Sequence, residues 1–126
     1  MRAVDTNVLV RLISRDDPKQ VASADKFVEM GAWVSVLALA EAMWVLAAVY
    51  GLRAGEIGKA VAMLLNHKSL TLQEPELVSA ALEVFRRRPS LGFSDCLLLE
   101  LARKAGHLPL GTFDREFSKI AGTEKL

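Results

Sequence analysis

The sequence predicts an α/β fold: a central parallel sheet of four to five strands, flanked by helices in three layers, α/β/α. Three observations carry this. Short apolar runs recur between longer segments whose apolar residues repeat at helical spacing. Those longer segments open and close on residues that start and stop helices. Strands separated by helices pair in parallel and bury both faces. With 126 residues, 52% of them hydrophobic and 25% charged, the chain suits one domain over residues 1–126.

Taken in order, residues 2–5 form a strand that stops at Asp5, and residues 7–14 a short helix. Pro18 suits a first helical turn, and Val21, Ala24, Phe27 and Val28 give residues 18–30 one apolar face before Gly31 ends the helix. Ala32 to Ser35 is strand-like, and Ser35 is placed to cap an apolar helix over 36–50 that carries Glu41. Gly51 to Arg53 is a break. A helix follows over 54–66 with Ile57, Val61, Leu64 and Leu65 on one side, then a strand over 70–72. Pro75 opens the next helix, with Val78, Ala81, Leu82 and Phe85 as its stripe, and Arg86-Arg87-Arg88-Pro89 closes it. Ser94 is placed to cap a helix that starts at Asp95 and ends at Gly106. Residues 108–112 form a strand, with Pro109 at its start or on an edge. A last helix covers 114–120, and Thr123–Leu126 adds a short edge strand. Trp33, Trp44 and Phe85 fall in apolar runs and are expected in the core.

A net charge of +1 leaves any polyanion site to local patches. The single cysteine, Cys96, cannot pair within the chain, so a reducing cytoplasmic setting is expected and Cys96 is assigned to the core. No leader segment is expected, because the chain opens directly on its first strand. Between Gly31 and Leu52 the only charged residue is Glu41. A charge at the centre of a span is costly, and Ser35 splits the window, so no membrane segment is expected.

Four acids stand in unusual places. Asp5 ends the first strand, Glu41 interrupts an apolar helix, Asp95 opens a helix, and Asp114 follows the strand at 108–112. A parallel sheet gathers strand ends on one edge, where open α/β sheets keep their ligand sites. Each acid alone has a plain local use. Asp5 and Asp114 suit turns and caps, Asp95 complements a helix dipole, and Glu41 could meet a distant Arg or Lys in a buried ion pair. Gathered together, carboxylates raise one another's pKa unless a cation is present. Oxygen ligands without His or Cys select hard ions, Mg²⁺ or Mn²⁺, which can provide a water nucleophile against a phosphodiester. His67 and His107 lie near helix C-termini, and no phosphate-cradling glycine loop is present. Arg11 and Arg115 are candidate phosphate contacts if the site cuts nucleic acid.

The ordered set Asp5-Thr6-Asn7, Leu39-Ala40-Glu41-Ala42, Ser94-Asp95 and Leu110-Gly111-Thr112-Phe113-Asp114 resembles the acidic motifs of PIN domains. Length and spacing are similar to the stand-alone VapC-type toxins of toxin–antitoxin pairs. The resemblance implies a metal-dependent endoribonuclease in which Asp5, Glu41, Asp95 and Asp114 bind Mg²⁺ or Mn²⁺, with Asp5 and Asp95 as direct ligands. It makes Thr6, Asn7 and Thr112 supporting polar residues. It further implies a homodimer, a VapB-type antitoxin laid over the site, and a structured RNA substrate, tRNA or rRNA. Two other readings share the fold: a PIN nuclease of RNA processing or DNA, and a catalytically silent binding domain. Residues 53–74 carry no motif.

Overall fold

Each strand pairs in parallel with its neighbour, and in the larger sheet helices supply the crossovers that parallel strands need. The computed structural model describes residues 1–126. In order, the elements are β1 (Arg2–Ala3), α1 (Thr6–Ser14), α2 (Pro18–Glu29), β2 (Ala32–Val34), α3 (Val36–Ala48), α4 (Ala54–Asn66), β3 (Leu70–Leu72), α5 (Pro75–Arg87), α6 (Phe93–Ala105), β4 (Leu110–Thr112), a 3₁₀ turn (Phe117–Lys119) and β5 (Thr123–Lys125). The architecture is the expected helix-rich α/β one. The five parallel strands do not, however, share one ladder: β1-β2-β3 form one sheet and β4-β5 another.

Apolar periodicity builds the core as expected. Leu9, Leu39, Leu46, Leu64 and Leu99 are fully buried, and they come from α1, α3, α4 and α6. The same 30-residue cluster includes Val34 and Leu72 from the sheet. α1 packs on α3, α3 on α6, and α5 on both α4 and α6. The caps follow from residue type: Asp17 accepts the N–H of Gln20 at 3.0 Å, and Ser35 that of Ala38 at 3.0 Å. No helix is long and apolar enough to cross a membrane, because the apolar window is divided between β2 and α3.

Four expectations are corrected. α6 starts at Phe93 with Gly92 as its cap, so Ser94 lies inside the first turn and caps nothing. The helix expected over 114–120 shrinks to one 3₁₀ turn. Asp114 Oδ1 takes the N–H of Phe117 at 2.9 Å and the Ser118 hydroxyl donates to the Arg115 carbonyl at 2.7 Å, local bonds that compete with a helix. β4 begins at Leu110, which leaves Pro109 outside the ladder. Trp44 is not core: it is exposed, and Trp33 is only half-buried.

Candidate active site

Asp5 stands one residue past the end of a strand. The Val4 N–H still donates to the Trp33 carbonyl at 3.1 Å, so the ladder runs to the residue before it. Its Oδ1 accepts the Val8 N–H at 3.1 Å, which makes it the N-cap of α1. The local use foreseen for Asp5 is therefore real, and it is compatible with a second one. Capping fixes the carboxylate and occupies one oxygen, while no protein group donates to Oδ2.

Glu41 does not form the buried ion pair that was its alternative use. It lies on the exposed side of α3, no cation pairs with it, and its Oε2 accepts the Thr6 hydroxyl at 3.0 Å. That bond ties α3 to the residue next to Asp5. Two backbone caps hold the start of α3: Ser35 on Ala38, and the Gln73 side chain, which accepts the Val36 N–H at 2.9 Å. Gln73 has no signal in the sequence, because the contact spans 37 residues. We expect Glu41→Gln to change stability by no more than about 0.5 kcal/mol, since the amide oxygen still accepts from Thr6. Divalent-cation affinity, measured by calorimetry, should fall. A loss of several kcal/mol in urea unfolding would contradict this placement.

Asp95 is the third residue of α6 and is half-buried. Burial raises its carboxyl pKa above the usual range, and the charge of Asp114 raises it further. Asp114 repeats the arrangement at Asp5: Oδ1 accepts the Phe117 N–H, and its own N–H donates to Thr112 Oγ1 at 3.0 Å. Thr112 thus orients the turn that carries Asp114.

The acids fall into two associations, Glu41 with the Asp5-Thr6 turn, and Asp95 with Asp114. They do not form a closed cage: no group of three or more His, Cys, Asp and Glu is gathered tightly enough to hold a metal ion. None of the four pairs with a cation, while Asp16, Asp25, Glu74, Glu100 and Glu116 all do. Side chains of this all-oxygen kind suit a hard divalent cation that keeps several waters and is held by one or two carboxylates together with substrate phosphates.

Asn7 and Asp5 line an open depression of about 380 Å³ with Arg11, Gln20, Ser23 and Phe27. Arg11 is occupied: it donates to Gln20, to Asp16, and to the Tyr50 hydroxyl at 2.8 Å. The Tyr50 bond is the main reason its pKa is raised, so Arg11 braces α1 against the end of α3 rather than standing free for a phosphate. Arg115 is exposed and makes no salt bridge. Cys96 is fully buried, and burial pushes its thiol up to about 11, as a core residue requires. His67 Nδ1 accepts the Ser69 N–H at 3.1 Å at the end of α4.

A family model for the PIN domain matches residues 2–123. The chain belongs to the PIN domain family. PIN domains are nuclease-type hydrolase domains that generally use divalent metal ions, and that class applies here. No curated protein and no solved structure gives a significant match.

Proposed function

We propose that this chain is a Mg²⁺- or Mn²⁺-dependent endoribonuclease, the toxin of a type II VapBC-type pair, acting in the cytoplasm on structured RNA such as tRNA or rRNA. The observation that carries this reading is an acidic set without a protein cation: Asp5, Glu41, Asp95 and Asp114 all lack a salt-bridge partner, and burial, with the charge of Asp114 added, holds the Asp95 carboxyl above the usual range. Repelling carboxylates cost a fold stability, so their retention points to a cation and a substrate. In this reading Asp5 and Asp95 are the direct ligands. Glu41 and Asp114 complete the acidic set and orient water, and Thr6, Asn7 and Thr112 fix the carboxylates. The cation supplies charge neutralisation and Lewis-acid polarisation at the scissile phosphate. Arg115 offers a phosphate contact beside Asp114.

The test is direct. Chain purified free of any partner is incubated with structured RNA and Mg²⁺ or Mn²⁺. Cleavage that stops on chelation and in Asp5→Ala and Asp95→Ala supports the reading. Metal-dependent cleavage unchanged in both variants would sink it.

A homodimer and a VapB-type antitoxin complete the proposal. Support for a covering partner comes from the outer side of α3. Leu37 and Trp44 are 68% and 64% exposed there, on either side of Glu41 at helical spacing. Two exposed apolar side chains flanking an exposed acid of the proposed site suit a partner that covers it. With the antitoxin taken from the neighbouring reading frame, Trp44→Ser should weaken neutralisation about thirtyfold, the size of an interfacial tryptophan anchor. RNA cleavage by the free variant should persist. Less than a threefold change in the antitoxin titration would remove α3 from that interface.

A further inference from the structure

Three guanidinium groups in a row close α5, and none of them pairs with a carboxylate. A helix C-terminus favours cations, but that accounts for a charge in the last turn, not for what the fold gathers around it. Arg87 and Arg88 line an open depression of about 360 Å³ together with Arg103 and Lys119. Its one acid, Glu100, is taken by Arg103 at 3.1 Å. Lys119 reaches Glu116 at 3.1 Å, which leaves Arg87 and Arg88 as the uncompensated pair.

On the other side of the same helix end, Arg86 and Lys59 line a second depression with Gly58 and Pro89. Pro89 also lines the cavity that holds Gly92 and Ser94, the residue before Asp95. A band of cations therefore runs from Lys119 across the end of α5 to Lys59, and its edge reaches the loop that leads into α6 and Asp95. The sequence is nearly neutral, yet residues 86–126 hold eight of the sixteen Lys and Arg and five of the fifteen Asp and Glu. Side-by-side cations repel one another, which offsets part of the dipole contribution, and together they attract polyanions.

We propose that this band docks the phosphates of an RNA segment lying outside the acidic site, through contacts that do not depend on sequence. The inference rests on the nuclease reading and adds a second, non-catalytic contact to it. Arg88 and Asp95 are seven residues apart, at most about 25 Å of extended chain. One RNA strand can span both, so a substrate long enough to do so gains affinity that a shorter one lacks. Arg87 and Arg88 are positioning residues and touch no reacting atom.

The test uses the full chain with Asp95→Asn to prevent cleavage, and a labelled stem-loop RNA titrated without divalent metal between about 50 and about 200 mM salt. Adding Arg87→Gln and Arg88→Gln should weaken binding about tenfold and reduce the magnitude of the logarithmic salt slope by about 1.4, the loss of two single-strand phosphate contacts. Both residues are exposed, and an unchanged circular dichroism spectrum will confirm folding. In the active chain the same pair should lower kcat/KM about tenfold on the stem-loop and leave a trinucleotide unaffected. An unaltered salt slope would overturn the docking band while leaving the nuclease reading intact. Unchanged RNA binding with lost binding of a polyglutamate probe would assign the surface to an acidic protein segment and overturn it too. If the chain with intact arginines neither binds nor cuts RNA, the nuclease reading and the band fall together.

Discussion

Replacing Asp5 or Asp95 with asparagine should reduce kcat/KM on structured RNA by about a hundred- to a thousandfold. A hard cation contributes several kcal/mol of transition-state charge stabilisation, and each 1.36 kcal/mol is a factor of ten. Asparagine keeps the size of the side chain but loses the charge that holds such an ion. The two variants should separate in stability. Asp5→Asn retains an oxygen that can cap α1, so its unfolding midpoint should hardly move. Asp95→Asn removes a charge that the metal-free fold disfavours. The sign follows from linkage: a carboxyl whose folded pKa lies above its unfolded value costs stability when ionised, and the cost disappears as pH falls through both values. Metal-free Asp95→Asn should therefore be slightly more stable than the parent at neutral pH, with the gap closing in acid. Metal-free Asp95→Asn markedly less stable than the parent, in thermal melts at pH 7, would show that Asp95 serves the fold instead.

The largest stability effect belongs to the inner side of α3. Leu39 is 1% exposed, and truncating it to alanine should cost about 2–5 kcal/mol. Against a typical total of about 5–15 kcal/mol, that is a large share. Leu37, two residues away on the outer side, should cost no more than about 0.5 kcal/mol when truncated, because it buries little and alanine is a good helix former. Urea midpoints for the two variants decide the matter: equal losses would mean that α3 is not oriented as described. The contrast also separates fold from function. Leu37→Ala should leave RNA cleavage intact, while Leu39→Ala should lose activity only through lost folding.

The legible parts of this molecule are those decided locally. Ser35 and Gly106 mark helix ends because a side-chain oxygen or a left-handed backbone settles them within a few residues. Gly106 takes φ +82°, where a Cβ would be strained. Apolar spacing located the inner stripes of α4 and α5 for the same reason. Three things were not legible. Trp44 and Leu37 belong to an apolar run, and composition alone cannot tell a buried side from one left open on the surface. Ser94 has the residue type of a cap, but the chain enters α6 two residues earlier, through Gly92, which caps without a side chain. The division into two ladders is a matter of long-range pairing, which has no sequence period. The acids lie between these extremes. Their placement at strand and helix ends was readable. Their division into two associations depends on Thr6 reaching Glu41 across 35 residues and on Asp114 lying near Asp95 in the fold.

The separate β4–β5 ladder has a consequence for Asp114. From Pro109 to the last residue, only Phe117 is fully buried, and the strand hydrogen bonds of this part close on themselves. A segment so lightly anchored opens at a lower free energy than the sheet that carries Asp5. One wall of the acidic site thus belongs to the sheet that carries Asp5 and the other to a segment held to the core through Phe117, Leu110 and Ile120. Amide hydrogen exchange should therefore be faster in β4 and β5 than in β2.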